Sequence, residues 1–412
     1  MSRLMIKDIK GKFIATMICA IIWYCEIIQY RFVVIRNMLL ALGVLMVFAI
    51  ALDLSNRKIA KLRYLSKDVW LLGAYLGGTF LAGMLVAPVL SEHISHGISA
   101  LEYYIVLLGI CYYALTRKNV TFLAWNYVIM YAFAVILFLS SPQAIQEGGE
   151  LRYSLSTSMN SNIFAMSLTI SIWAALYLVS LNKLHLIIGA VYSFAALYAI
   201  MMTASRKGLI GAILVVGLWV IMCYLPLQQR KRLQTSLVKY TVIAIGIMMA
   251  ALILLPYYQS SYLFERMLGL VNLSDQSTIN RLQMYVNGWG HLMDSPLLGY
   301  GFWGYSNFHF AYSHATIVEV PVSSGVFLSI VYFSTYIITA QQLWKRRKGR
   351  NTPDSRLVYV SKVDNRVAMV LFALLLFYAF SLIHIYQLTS FVAFALVYSI
   401  NGIDQLNGQR RK

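Results

Sequence analysis

Charged side chains are scarce in this chain, and acidic ones most of all. Only 12% of the 412 residues are charged, with 34 Lys and Arg against 15 Asp and Glu. A typical soluble domain has roughly 25% charged residues. The composition therefore excludes a soluble globular protein, and it leaves few carboxylates for a metal site.

Cysteine is also rare. The four cysteines, Cys19, Cys25, Cys111 and Cys223, all lie in apolar stretches without metal-ligand spacing. Small buried thiols are the usual explanation for such cysteines. We therefore expect no disulfide framework and no cysteine-bound metal.

Long apolar runs are abundant instead. Hydrophobic residues make up 60% of the chain, and runs of about 16–22 residues recur, close to the length that crosses a ~30 Å hydrocarbon layer. We predict an all-α polytopic membrane protein, with residues 1–412 forming a single integral membrane domain. About twelve transmembrane helices are expected near 13–29, 38–53, 69–90, 100–115, 120–140, 162–181, 184–203, 207–225, 240–256, 322–343, 367–384 and 386–402.

The net charge of +19 is unevenly distributed between the predicted connections. Alternate connections, including both chain ends, hold 27 of the 34 basic residues; the other seven are Arg31, Arg36, Arg152, Arg206, Lys207, Arg266 and Arg281. Basic residues concentrate on the cytoplasmic side of membrane proteins. Both termini are therefore predicted to be cytoplasmic, and nucleic-acid binding is not expected.

Two predicted outer connections are longer than the rest. Residues 141–161 are rich in Gly, Ser and Asn and predict an ordered turn or a lid. Residues 257–321 form one large extracytoplasmic loop. Within it, Ser277 or Thr278 is a candidate cap for an amphipathic helix that ends before Pro296, with its apolar side on the membrane. That apolar side comprises Leu282, Tyr285, Val286, Trp289, Leu292 and Met293.

Two basic residues on the outer side suggest an anionic ligand. Arg206 lies in a tight Ser-Arg-Lys-Gly turn between two apolar spans, where it either binds a ligand or reaches lipid phosphates. Arg281 lies near the start of the amphipathic helix, where a solvent-exposed arginine is the alternative. Together the two guanidinium groups form a plausible clamp for a diphosphate.

Histidine and glutamate supply the remaining candidate groups. His314 precedes a predicted membrane span and is either an interfacial residue or a proton acceptor for a hydroxyl group. Glu319 either orients His314 or binds a sugar. The spacing His93-x-x-His96 is a weak metal signal without an acidic or cysteine partner. For Glu26 and Glu102, in or near spans, structural pairing is favoured over a proton relay or transport.

Further absences narrow the chemistry. No outer connection contains the Asp-x-Asp pair that holds the cation of metal-dependent sugar transferases, and no nucleotide-type phosphate loop is present. We predict no metal and no cofactor. Gly299 and Gly301, which follow Pro296, predict a turn where the backbone approaches a ligand or another helix.

Three segments carry a resemblance to a known family. They are Thr203-Ala-Ser-Arg-Lys-Gly-Leu209, then Asn280-Arg281 with Trp289, Asp294 and Pro296-Leu-Leu-Gly-Tyr-Gly301, and finally Ser313-His314 with Glu319 and Gly325. In order and spacing, residues 160–345 resemble the O-antigen ligase and polymerase superfamily of bacterial envelope enzymes. Ala315 departs from the Asn that often follows the histidine in this family.

The resemblance implies metal-independent glycosyl transfer from an undecaprenyl diphosphate-linked glycan donor, at the outer face of the bacterial cytoplasmic (inner) membrane. The expected catalytic residues are Arg206 and Arg281, which bind the diphosphate, and His314, which activates the acceptor hydroxyl. The expected substrate-binding residues are Ser205, Trp289, Gly299, Tyr300, Gly301 and Glu319.

Two activities are compatible with this resemblance. A polymerase of O-antigen, capsule or exopolysaccharide, with a glycan acceptor, is favoured over a ligase that transfers polysaccharide to lipid A-core. A flippase or another transporter of lipid-linked oligosaccharide is the alternative from a different class. Membrane lipid is an expected partner, and a chain-length regulator and a separate flippase are further candidates.

Overall fold

The computed structural model describes residues 8–31, 38–54, 58, 62, 65–147, 150–224, 276–309, 312–348 and 355–409, and these residues are mostly helical. Helices α1 to α8 are Ile9–Trp23, Met38–Asp53, Lys67–Val86, Leu90–Arg117, Thr121–Ser140, Ser161–Ser180, Leu186–Met202 and Arg206–Trp219. Helices α9 to α13 are Gln276–Asp294, Gly304–His309, Thr316–Lys348, Ser355–Ala379 and Leu388–Gln409. Helices α1 and α8 each continue into a π-helical turn, Tyr24–Ile28 and Val220–Tyr224.

Among these residues, seven helical segments are long and apolar enough to cross a membrane. They are Ile9–Ile28, Lys67–Val86, Leu90–Arg117, Thr121–Ser140, Ser161–Ser180, Arg206–Tyr224 and Thr316–Lys345. Three predicted spans correspond to the shorter apolar helices Met38–Asp53, Leu186–Met202 and Leu388–Ile403. The predicted span 367–384 overlaps α12, and the predicted span 240–256 lies outside the described residues. The chain is a multi-pass membrane protein.

One element departs from the all-α prediction. Strands β1 (Gln143–Glu147) and β2 (Glu150–Ser154) form an antiparallel hairpin within residues 141–161, the predicted outer connection that was expected to be a turn or a lid. The two residues between the strands are both glycine. A Gly-Gly pair between short strands is a known hairpin signal, so this element was detectable from the sequence.

The contacts of the chain divide it into two compact units. One unit comprises residues 1–126 and 281–412, and the other comprises residues 127–280. In the first unit, α3 packs against α11, and α4 packs against α13. In the second unit, α6 packs against α7 and α8, and nearly all of α6 is buried.

An ionic cluster at one end of the first unit connects the start of α1, the end of α2 and the end of α4. The Arg117 Nε donates to Asp8 Oδ2 over 2.6 Å, and its Nη1 donates to Asp53 Oδ2 over 3.0 Å. Lys58 also pairs with Asp53, and the Tyr112 hydroxyl donates to Asp53 over 2.8 Å. These residues come from connections or helix ends that the charge pattern assigns to one side of the membrane.

Candidate functional site

A break in the membrane helix α11 provides the framework of the site. Gly325 has φ 68° and ψ −177°, so the helix is interrupted there. The Val326 N–H donates over 2.8 Å to the carbonyl oxygen of Pro296, and the Val322 carbonyl accepts over 2.9 Å from the Tyr300 N–H. In an unbroken helix, Val326 would donate to Val322. The backbone of the turn 296–301 therefore replaces the hydrogen bond that the break removes.

Glycine is required where this turn meets its neighbours. A Cβ on Gly299 (φ 66°) would lie 2.6 Å from the Val322 carbonyl oxygen, and one on Gly301 (φ 76°) would lie 2.6 Å from His93 Nδ1. The Gly301 N–H donates to the Ser323 carbonyl over 2.8 Å. The sequence predicted that the backbone of this turn approaches either a ligand or another helix. The structure shows the approach to helix α11.

Both imidazoles of the His93-x-x-His96 pair have structural partners. His93 is fully buried, accepts at Nδ1 from the Phe302 N–H over 2.9 Å, and lies 2.9 Å from the Phe80 carbonyl through Nε2. Because Nδ1 accepts, Nε2 is the nitrogen that donates. The His96 ring stacks on Trp303 with centroids 3.9 Å apart, and its Nε2 lies 3.4 Å from Glu92 Oε2, so the expectation that the pair has no acidic partner is wrong. Within the described residues, no group of three or more His, Cys, Asp or Glu is placed to hold a metal ion.

A chain of hydrogen bonds links Trp303, which follows the turn 296–301, to the fully buried carboxylate of Glu319. The Trp303 N–H donates to the Tyr386 hydroxyl oxygen over 2.7 Å, and that hydroxyl donates to Glu319 Oε1 over 3.3 Å. The other carboxylate oxygen, Oε2, accepts from the N–H and the hydroxyl of Ser313 over 3.2 and 2.8 Å. Glu319 thus holds the residue that precedes His314.

His314 lies in the turn directly before α11, with a left-handed backbone at φ 59°. Non-glycine residues in this region are uncommon, and they often occur at functional sites. Its ring lies 4.2 Å from the ring of Tyr312. On the other side, Thr316 fixes the turn, because its N–H and hydroxyl donate to the Leu382 carbonyl over 3.0 and 2.6 Å.

The departure from the family pattern at Ala315 has a packing explanation. The Ala315 side chain is fully buried in an apolar cluster with Tyr305, Val318 and Val322. An Asn amide at this position would be buried among apolar side chains and would need hydrogen-bond partners.

Helix α9 has two different apolar faces rather than the one predicted. Tyr285 packs against the Ala315 cluster, its hydroxyl donates to the Phe380 carbonyl over 2.9 Å, and Leu292 is buried. The other predicted apolar residues of this helix are exposed, namely Leu282, Val286, Trp289 and Met293. Helix α9 ends before Pro296, as predicted.

The predicted capping residues of α9 do not cap it. The helix already includes Gln276, so Ser277 and Thr278 lie inside it and the capping prediction is wrong. Arg281 is half-buried, one turn before Tyr285. The helix that carries Arg281 therefore packs beside the turn of His314.

Two histidines, His291 of α9 and His309 of α10, connect these helices. The Nε2 of His291 lies 2.8 Å from Nε2 of His309, and the His291 ring stacks on Phe308 with centroids 4.4 Å apart. Burial and the neighbouring His309 lower the pKa of His291, while Asp294 opposes this shift. The pair joins two elements of the predicted large loop 257–321.

In the second unit, Ser205 and Arg206 open α8. The Ser205 Oγ accepts from the Gly208 N–H over 3.2 Å and donates to Asn162 Oδ1 over 2.9 Å, so Ser205 caps the helix and ties it to α6. Arg206 and Lys207 are 5% and 9% exposed. Such burial argues against the alternative in which both side chains extend to lipid phosphates.

Comparison with known proteins supports the family resemblance. A family model described as O-antigen ligase matches residues 191–333, a range that includes every residue predicted for the site. Over this range the chain is similar to the O-antigen ligase and polymerase superfamily, as its motifs predicted. Teichuronic acid biosynthesis protein TuaE of Bacillus subtilis (strain 168) is 26% identical over 250 residues, which cover 57% of this chain and 49% of that protein. The chain thus spans about half the length of this relative.

Within this superfamily match, the first unit groups four predicted features: the turn 296–301, the helix of Arg281, His314 and Glu319. Ser205 and Arg206 lie in the second unit. Sequence reasoning did not find Tyr386, which links Trp303 to Glu319. Its position at the first residue of the predicted span 386–402, at the predicted outer end of that span, was the one signal that favoured it.

Proposed function

We propose that this chain is a polymerase of a bacterial envelope polysaccharide, which transfers glycan from a polyprenyl diphosphate-linked donor to a sugar hydroxyl of an acceptor glycan. The observation that carries the proposal is the turn of His314. His314 has a left-handed backbone, follows a serine that a buried carboxylate holds, and lies beside the helix of Arg281, so it is a pre-organised group at the predicted outer end of a membrane helix.

The proposed step is one substitution at the anomeric carbon of the donor. A bond forms between this carbon and the acceptor oxygen, while its bond to the diphosphate oxygen breaks. His314 accepts the proton of the attacking hydroxyl, and the electron pair leaves with the diphosphate. Arg206 and Arg281 stabilise that charge through forked hydrogen bonds, so neither a metal nor a cofactor is needed.

The other site residues have supporting roles in the proposal. Ser205 caps α8 and so fixes Arg206, while Glu319 and Tyr386 position the turn of His314. Gly299 and Gly301 shape the turn on α11. The side chains of Trp289 and Tyr300 are the proposed sugar contacts, because aromatic rings stack on sugar faces.

The proposed location is the outer face of the bacterial cytoplasmic membrane. There the donor is undecaprenyl diphosphate-linked glycan, and the exposed apolar residues of α9 contact membrane lipid or the polyprenyl chain. A flippase that supplies the donor and a chain-length regulator are the proposed protein partners.

A ligase is the second candidate, and one observation favours it. The family model that matches residues 191–333 is described as O-antigen ligase. In this case the chemistry is unchanged and the acceptor hydroxyl belongs to lipid A-core.

The test is the glycan profile of cells that lack the protein and are complemented with variants at equal expression. For a polymerase, the deletion strain should accumulate single lipid-linked repeat units without long chains. Arg206→Ala, Arg281→Ala and His314→Ala should each fail to restore polymer, while lysine at either arginine should restore it only in part because the fork is lost.

Other profiles would change the assignment. Full-length chains left on the lipid carrier indicate the ligase. Repeat units confined to the cytoplasmic side indicate a flippase, and normal polymer in all three alanine variants refutes the proposed site.

A further inference from the structure

A groove of about 430 Å³ lies between α2 and α4, and none of its lining residues belongs to the proposed glycosyl-transfer site. This volume is within the range of ligand sites, about 300–1,000 Å³. Its lining is apolar except for one carboxylate and includes Leu40, Val44, Val47 and Phe48 of α2 with Glu102 and Ile105 of α4. The four α2 side chains are exposed, so the groove opens on a surface that faces lipid.

Glu102 has no hydrogen bond or ion pair with any residue that the structure describes. The structural pairing expected for it is therefore absent from these residues. Glu26, the other glutamate for which structural pairing was expected, does have a partner, because the Thr389 hydroxyl donates to its carboxylate. A carboxylate in an apolar wall is costly, and intramembrane ionisable groups usually mark ligand sites.

Glu102 lies in the half of the membrane opposite the ionic cluster. Helix α4 has 28 residues, so at ~1.5 Å per residue it is about 12 Å longer than a ~30 Å hydrocarbon core. Glu102 lies about 22 Å along the helix from Arg117 of the ionic cluster. If Arg117 marks one border of the core, Glu102 is about 8 Å inside the other border, and a lipid ammonium that pairs with it must enter the groove below the headgroup level.

We propose that this groove binds an aminophospholipid, with an acyl chain along α2 and the primary ammonium paired with Glu102. The apolar lining matches an acyl chain, and a single carboxylate complements one cation. An ammonium donates charge-assisted hydrogen bonds to the carboxylate, whereas an uncharged glycerol headgroup on a phosphate does not neutralise it. The inference is independent of the glycosyl transfer proposed above.

The experiment measures lipid retained by the full-length protein, purified in detergent with equimolar dioleoyl-phosphatidylethanolamine and dioleoyl-phosphatidylglycerol, by native mass spectrometry. The wild type should retain the ethanolamine lipid in preference by roughly fivefold. Glu102→Gln should abolish the preference, and Glu102→Lys should reverse it.

Gly43 allows a test of the groove itself. It lines the groove, and a Cβ there would meet no atom within 4 Å. Gly43→Leu should therefore fill the groove and remove one retained lipid without disturbing the fold. Gly77→Leu is the matched control, because Gly77 is equally unobstructed but lies on α3 outside the groove. This control should retain lipid as the wild type does.

Three outcomes would overturn the inference: equal retention of the two lipids by the wild type, an unchanged preference in Glu102→Gln, or the same loss in Gly43→Leu and Gly77→Leu. His314→Ala should retain lipid normally even though it is expected to be inactive, which separates this result from the proposed function.

Discussion

At the scale of single residues, the hydroxyl of Tyr386 is the most informative group in the site. It accepts from the Trp303 N–H and donates to Glu319, whose other oxygen holds Ser313 beside His314. One hydroxyl thus connects the segment that follows the turn 296–301 with the turn of the proposed proton acceptor. We infer that Tyr386 positions His314 without touching substrate.

Tyr386→Phe keeps the ring and removes that connection. We expect a loss of about 1–3 kcal/mol in unfolding free energy, because a backbone N–H and a carboxylate each lose a partner. We also expect about tenfold lower turnover with little change in the KM for donor. Steady-state transfer assays on purified protein, with thermal unfolding alongside, provide the measurement.

Tyr112→Phe is the matched control for this variant. Tyr112 also donates to a carboxylate, Asp53, but at the ionic cluster in the same unit. It should lose similar stability while turnover stays near that of the wild type. Equal turnover losses in both variants would show that Tyr386 contributes stability alone.

The predictability of these residues differed for a physical reason. Arg206, Arg281 and His314 are unusual in an apolar sequence, so their type and location were sufficient to select them. Tyr386 is one of 29 tyrosines, and its partner Glu319 is 67 positions away in the chain. Such a contact depends on tertiary packing, which hydropathy and motif spacing do not encode.

At the scale of elements, the break in α11 determines where the turn 296–301 binds to that helix. The hydropathy pattern predicted an uninterrupted span at 322–343, and Gly325 was noted only as part of a motif. The structure shows a non-helical residue at this position and the turn 296–301 bonded to the carbonyls beside it. A glycine in a membrane span can be helical or non-helical. The break was therefore not predictable without knowing that the turn 296–301 packs beside it.

Gly325→Ala tests the break directly. Gly325 has φ 68°, and a Cβ there would lie 2.3 Å from the Leu297 carbonyl oxygen. Either the turn must detach or the backbone must become strained, so we expect a destabilisation of about 1–3 kcal/mol and loss of polymer. Thermal unfolding of the purified protein gives the first quantity, and the cellular glycan profile gives the second.

Gly77→Ala in α3 serves as the control for that variant. It is a helix-interior glycine with open space around its Cβ position, so alanine should be neutral or stabilising by up to about 1 kcal/mol. If Gly325→Ala behaves in the same way, the break is not required to hold the turn.

At the scale of the whole molecule, contacts within the first unit agree with the predicted sidedness. Residues expected at the outer side contact each other, as in the bond between the connections of Phe302 and His93 and in the bond between Thr316 and Leu382, near the outer end of the predicted span 367–384. Groups expected inside also meet, as when the Ser66 and Gln342 side chains hydrogen-bond. Composition predicted the multi-pass class, but short helices such as the 16-residue α2 leave the number of crossings open.

The predicted orientation can be tested by labelling single cysteines from outside intact cells. In a version with Cys19, Cys25, Cys111 and Cys223 replaced by alanine, Thr157→Cys and Gln283→Cys should react with a membrane-impermeant maleimide. Lys183→Cys should react only after the membrane is opened. All three positions are exposed in the structure, so a difference reports sidedness rather than burial.

The reverse pattern, with Lys183→Cys labelled in intact cells, would place both the His314 turn and the Arg206 turn on the cytoplasmic side. That result would contradict the charge-based orientation and the outer-face reaction together. Labelling of Thr157→Cys without Gln283→Cys would instead mean that an odd number of crossings separates residues 157 and 283. In that case Arg206 and Arg281 could not both bind one diphosphate at the outer face, although each arginine would remain free to serve a different substrate group.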